Sequence, residues 1–288
     1  MNRKKIRRDY RISVEPDGRF MHPPAGNHTV EKHQRLGIYA ELLATGMKNK
    51  WDQRVFIDLF TGPGHCRLKE TGNVVLGSPL VSLSLPHLFD RYVFCENTKD
   101  ALTALKERVS QMNVSADVRY VAGDINDWSV VADVIKHLPS PEMKALYLCF
   151  VDPYSLEFKF STIKQMADAR RMDFIVNLAF GTDGKRNLRK YYTRDGSLRI
   201  EELLNDTEWR VKWEASGQSE SEFLAERFSK AMEEIGYQPV SFERMYPVKS
   251  TRGSMLYYLA FYTKDSSGRA NDFWTETLKY TDVQLRML

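Results

Sequence analysis

Apolar residues along this chain fall into short continuous runs, separated by stretches in which they recur every three or four positions. The runs at 55–60, 92–95, 118–122, 145–151 and 174–178 have the length of strands covered on both faces. Between them, 101–112, 130–138 and 161–170 carry the spacing of helices. Strand and helix in alternation predict βαβ units. The fold class is therefore α/β, a mostly parallel sheet with helices on both faces and right-handed crossovers.

A helix precedes the first strand. Thr29 is placed to cap it, Val30, His33, Leu36, Tyr39, Ala40 and Leu43 share its apolar face, and it ends near Gly46. The pattern predicts an amphipathic helix packed on the sheet. Residues 1–28 show little periodicity and read as a basic arm, either laid on the domain or left as a solvated tail. Residues 29–288 then form one domain, interrupted at about 181–218 by an insertion with short helices. The rhythm returns with a helix at 221–235, a strand near 240–245 and a strand at 256–263 before a final tail. Gly253 and Ser254 suit a tight connection, so the last two of seven strands are expected to pair antiparallel.

Composition narrows the class without naming a function. With 288 residues and 42% hydrophobic side chains the chain can bury a large core. Its 42 basic and 38 acidic residues nearly cancel, so net charge selects no partner. Cys66, Cys95 and Cys149 lie too far apart for a zinc knuckle and are odd in number for a disulfide framework. The six histidines show no ligand spacing, no metal site is expected, and His33 suits packing or hydrogen bonding better than catalysis. No apolar stretch follows Arg3, Lys4, Lys5, Arg7 and Arg8, so the expectation is a cytoplasmic protein without membrane contact.

The chemistry-bearing positions cluster where the apolar runs end. Asp58 closes the first run, and Thr61, Gly62, Pro63 and Gly64 follow as a glycine turn that lets backbone approach a ligand. Pro63 lacks the amide that a pyrophosphate needs, which favours a ligand without phosphates. Glu96 ends the second run, where a carboxylate can accept both hydroxyls of a ribose. Asp124 ends the third run and can accept from an adenine amine while Ile125 packs on the ring. A lone acid at a strand end also serves as a helix cap; acids at successive strand ends point to a ligand. Asp152, Pro153 and Tyr154 close the fourth run: a carboxylate to accept from an amino group, a stiff turn, and a ring to stack on a planar base. A structural Asp-Pro turn is the other reading. Lys185, Arg186, Arg189 and Lys190, interleaved with Tyr191 and Tyr192, suit a phosphate backbone with stacked bases, or an ordinary solvated face.

These strand-end motifs, in this order, resemble those of class I S-adenosylmethionine-dependent methyltransferases with their Rossmann-like seven-stranded sheet. Together with Gly77, Ser78 and Pro79, the Cys95, Glu96, Asn97 end and the strand at 256–261, they resemble the three-Cys-motif partner protein family of bacteria. The resemblance implies S-adenosylmethionine as cofactor and an iron-sulfur protein with a three-cysteine motif as partner; the aligned motifs together with the basic aromatic stretch at 185–192 add the expectation of methyl transfer to nucleic acid or another base-containing substrate. The resemblance also leaves room for a non-catalytic specificity subunit. Carried over by motif, Asp58, Thr61, Gly62, Pro63 and Gly64 would hold the methionine part, Glu96 the ribose and Asp124 the adenine, with Asn97 and Ile125 beside them in the cofactor site. Asp152, Pro153 and Tyr154 would form the catalytic acceptor site, with one proline where amino-methylating enzymes keep two.

Overall fold

The computed structural model describes residues 9–156, 158–181, 196–250 and 253–285, with backbone alone for 280–285. Its elements in chain order are β1 (Ser13–Val14), α1 (His28–Gly46), β2 (Gln53–Asp58), β3 (His65–Arg67), β4 (Val74–Leu76), α2 (Ser78–Leu83) and β5 (Arg91–Glu96). There follow α3 (Lys99–Ser110), β6 (Asp117–Ala122), α4 (Trp128–Lys136), β7 (Ala145–Val151), α5 (Phe160–Ala169) and β8 (Asp173–Leu178). The chain continues with α6 (Arg199–Leu204), α7 (Trp209–Ser216), α8 (Glu220–Glu234), β9 (Tyr246–Lys249), β10 (Met255–Tyr262) and α9 (Arg269–Leu285).

A seven-stranded sheet runs in the order β6-β5-β2-β7-β8-β10-β9. Strands β6, β5, β2, β7 and β8 are parallel, β10 is antiparallel to β8, and β9 is antiparallel to β10. Each apolar run divides its side chains between two cores. In β2, Val55 and Ile57 join one and Phe56 the other; in β7, Tyr147, Cys149 and Val151 oppose Leu146, Leu148 and Phe150. Helices α4, α5, α6 and α8 cover the first face, and α1, α2, α3 and α9 the second. The chain leaves β2 for β5 on one side and returns to β7 on the other, so the crevice at this reversal opens at the carboxyl ends of the strands.

Several local expectations are corrected. The strand expected at 240–245 is a short 3-10 turn, Phe242–Arg244, and β9 begins only at Tyr246. Register with β10 decides this: Tyr246 pairs with Leu259 and Lys249 with Met255, closed by Ser250 N–H donating to Ser254 O at 2.8 Å. The expected final tail is α9, whose Trp274 stacks on Phe261 and whose Phe273 presses on Gly46. Helix α1 begins at His28, before Thr29, and it is not amphipathic, because Lys32, His33, Gln34 and Arg35 are buried with its apolar residues. The Tyr10 ring covers Gly37 so closely that an added Cβ would lie 2.5 Å from it. A small antiparallel sheet, β1-β4-β3, was not legible in the sequence; its strands of two or three residues are too short for alternation to show.

Candidate functional site

The turn after β2 is bound to the end of β5. Thr61 donates to the Cys95 carbonyl through its amide at 3.1 Å and its hydroxyl at 3.2 Å, and Gly62 N–H donates to Glu96 Oε2 at 2.8 Å. Gly62 has φ 59°, in the left-handed region that favours glycine, and an added Cβ would meet only His22, at 3.6 Å. Gly64, at φ 88°, faces inward against Leu80 and Leu105, and its carbonyl accepts from Gly77 N–H at 2.7 Å. The Pro63 carbonyl accepts from Arg108 at 2.6 Å, and Arg108 in turn grips Asp17 through two bonds of 2.7 Å. That guanidinium holds the Asp17 carboxyl well below the usual carboxylate range and ties the chain before α1 to the turn.

Two clefts open at this edge and share Phe60, Glu96 and Tyr154. The larger, about 550 Å³, is lined among others by Thr61, Gly62, Pro63, His33, Lys32 and Asp152. The smaller, about 230 Å³, is lined by Asn97, Asp124, Ile125, Pro153 and the apolar rings of Phe60 and Phe158, with others. Glu96 faces both while its second oxygen accepts from Thr98 N–H at 2.8 Å. Asp124 is exposed and accepts from Asn126 N–H at 2.9 Å; Ile125 is buried and its carbonyl accepts from the Thr162 hydroxyl at 3.0 Å. Asp58 lines neither cleft. It lies fully buried beneath the turn, accepts from Phe60 N–H at 3.1 Å, and is pushed up to about 7 by burial, against the pull of the Ser78 hydroxyl and the Phe60 amide.

At the end of β7, Asp152 is already engaged. Lys32 of α1 reaches Oδ2 at 2.6 Å and Oδ1 at 2.7 Å, and Asn177 of β8 donates to Oδ1 at 2.7 Å. Pro153 is buried at the smaller cleft, whereas the Tyr154 ring is 96% exposed at the rim that both clefts share. His33 Nδ1 lies 3.2 Å from the Leu76 carbonyl, which only accepts, so this nitrogen carries the proton. Burial pushes its pKa down to about 4, chiefly by desolvation, so the ring is neutral at pH 7.

Sequence reasoning missed Lys32 and Asn177. Lys32 stands beside His33 on the helix that was anticipated, yet its partner is 120 residues away, and no local spacing reports that. The basic stretch with Lys185, Arg186, Arg189 and Lys190 lies outside the described residues. Of the cations leading up to it, Lys159 pairs with Glu202, Lys164 with Asp168, and Arg170 and Arg171 donate to the carbonyls of Pro139 and Lys264. Among the described residues no group of three or more His, Cys, Asp or Glu is placed to hold a metal, and no helix is long and apolar enough to cross a membrane.

No protein-family model and no curated protein matches the chain. Among solved structures, a Legionella pneumophila protein of the DUF519 family model is 14% identical, with 89% of this chain and 92% of that one covered at a TM-score of 0.51. A Bacillus cereus O-methyltransferase solved with S-adenosylhomocysteine is 9% identical over 84% of each chain, TM-score 0.48. M. jannaschii TYW2, solved with AdoMet, is 10% identical over 90% of this chain and 88% of that one, TM-score 0.39. The likeness to the first shows a shared fold and nothing finer.

Proposed function

We propose that the protein is an S-adenosylmethionine-dependent methyltransferase. One juxtaposition carries the reading: Gly62, Glu96 and Asp124, at the ends of three adjacent parallel strands, open onto two clefts that meet at Glu96. The ligand chemistry fits. Pro63 offers no amide to a phosphate, and Lys32 is the single Lys or Arg among the residues lining the larger cleft, which suits one carboxylate better than a pyrophosphate. Bound there, S-adenosylmethionine would supply a methyl group activated on a sulfonium sulfur.

The chain's own residues then bind and position. Glu96 retains unused lone pairs for ribose hydroxyls beyond its bonds to Gly62 and Thr98. Asp124 would accept from the adenine amine, with Asn97 at the rim and Phe60, Ile125 and Phe158 as apolar walls. Asp58 acts from below, bracing the turn through Phe60 rather than touching ligand. Thr61, Gly62 and Pro63 shape the floor of the methionine side, Gly64 lines neither cleft and packs behind them against Leu80 and Leu105, and Asp152, Pro153 and Tyr154 form the acceptor side. The exposed Tyr154 ring supports a planar, base-containing acceptor, nucleic acid included. The resemblance to three-Cys-motif partner proteins adds an iron-sulfur protein as the companion in the reaction.

A second reading, a non-catalytic specificity subunit of that companion, is favoured by one observation: both Asp152 oxygens are occupied by Lys32 and Asn177. Calorimetry with S-adenosylhomocysteine tests the cofactor. Saturable binding is expected, and its absence would remove the methyltransferase reading. Transfer of labelled methyl groups to RNA, DNA or protein by the protein alone speaks for the enzyme, whereas bound cofactor without transfer speaks for the subunit.

A further inference from the structure

Lys32 occupies an unusual place for an ammonium. It is 8% exposed, its Nζ lies 5.3 Å from the centre of the Tyr257 ring, and both Asp152 oxygens accept from it. Asn177 holds only Oδ1, so Oδ2 depends on Lys32 alone among the described residues. Among the residues lining the larger cleft Lys32 is the single Lys or Arg, and His22 stands exposed at its edge. His33 is neutral at pH 7, burial pushes the His65 pKa down as well, and Glu96 and Asp152 are carboxylates. Arg108, behind the turn, is committed to Asp17 and the Pro63 carbonyl.

A ligand carrying a carboxylate into this cleft therefore meets two negative side chains and one cation. Its carboxylate must pair with that cation or remain uncompensated, and the flexible four-carbon stem of a lysine permits the move. We propose that Lys32 anchors the α-carboxylate of the methionine-bearing cofactor and leaves Asp152 to do so. The inference rests on the cofactor reading above and assigns to it a binding residue and an order of events. Once Lys32 turns away, Asp152 keeps Asn177 and regains Oδ2 as an acceptor for the N–H of a substrate. Cofactor binding thus readies the acceptor site, and by reciprocity an acceptor held by Asp152 tightens the cofactor.

Two ligands separate the parts of this claim: S-adenosylhomocysteine, and 5′-methylthioadenosine, which has the same nucleoside without the amino acid. Calorimetry is run with both on the full chain as wild type, Lys32→Met, Lys32→Arg and Asp152→Asn, each checked for folding by circular dichroism. Lys32→Met should weaken S-adenosylhomocysteine by roughly 10- to 100-fold, as loss of a charge-assisted hydrogen bond does, and leave methylthioadenosine within about 3-fold. Asp152→Asn should tighten S-adenosylhomocysteine by about 3-fold or more, because the competing carboxylate is gone, again without effect on methylthioadenosine. Lys32→Arg keeps the charge, so it should lie closer to wild type than Lys32→Met does. Equal weakening of both ligands by Lys32→Met, no weakening at all, or weaker S-adenosylhomocysteine binding in Asp152→Asn overturns the anchor. Failure of both ligands to bind the wild type overturns the cofactor reading instead.

Discussion

Two buried groups beside the turn, Asp58 and His33, titrate against each other. Asp58 stays protonated in the fold up to about 7, while an unfolded carboxyl ionises near 3.8. Between these values the folded chain holds a proton that the unfolded chain has released, so this group's contribution falls as pH rises. His33 does the opposite. Its folded pKa of about 4 lies below the ordinary 6.5, so in that window the unfolded chain binds the extra proton and stability rises with pH. The two slopes oppose each other through about pH 4 to 6.5. Asp58→Asn removes one of them, and urea unfolding across that range should show stability climbing with pH by on the order of 1 kcal/mol per unit relative to wild type. A variant curve parallel to the wild type would return Asp58 to an ordinary ionised carboxylate. The Asp58 position was legible as chemistry because it ends an apolar run; that it braces from below, outside both clefts, depended on which way the β2 pleat turned its side chain.

At the scale of elements, the core strands were readable because each is covered on two faces and so appears as an unbroken apolar run. The edges were less so. Strand β9 is held on one side only and tolerates Pro247, and the hairpin register, not composition, sets its start at Tyr246. Helix α9 carries Ala270, Trp274 and Thr277 buried at helical spacing, a signal available in the sequence but surrounded by charge. Its docking is substantial: Trp274 is 6% exposed, stacked at 5.6 Å on Phe261 and edge-on at 5.8 Å to Tyr39 of α1. Trp274→Ala should cost about 3–5 kcal/mol in denaturant unfolding, as for other large aromatics removed from a core. A loss below about 1 kcal/mol would mean that α9 is peripheral to the fold.

Over the whole molecule, one sheet brings together groups from distant parts of the chain, and a ligand at its edge should be felt everywhere. Lys32 from α1, Gly62 after β2, Glu96 from β5, Asp152 after β7 and Asn177 from β8 converge on one crevice, so binding there opposes separation of all five segments. S-adenosylhomocysteine at 100 times its Kd should add about 2.7 kcal/mol and raise the unfolding midpoint by roughly 4–5 °C, read by circular dichroism. A midpoint unmoved at saturating ligand would count against a site built across these elements.

The sequence by itself determined the α/β class, the seven-strand count, the glycine turn and the acids at the strand ends. Periodicity and turn chemistry are local properties, written within a few residues of one another. Tertiary structure alone decided that α1 is buried on most sides, that two or three residues at a time make a second sheet, and that Lys32 closes on Asp152 across 120 residues. An ion pair of that kind exists only where the order and direction of strands carry one end of the chain across the other's crevice, and no spacing along the sequence encodes that distance.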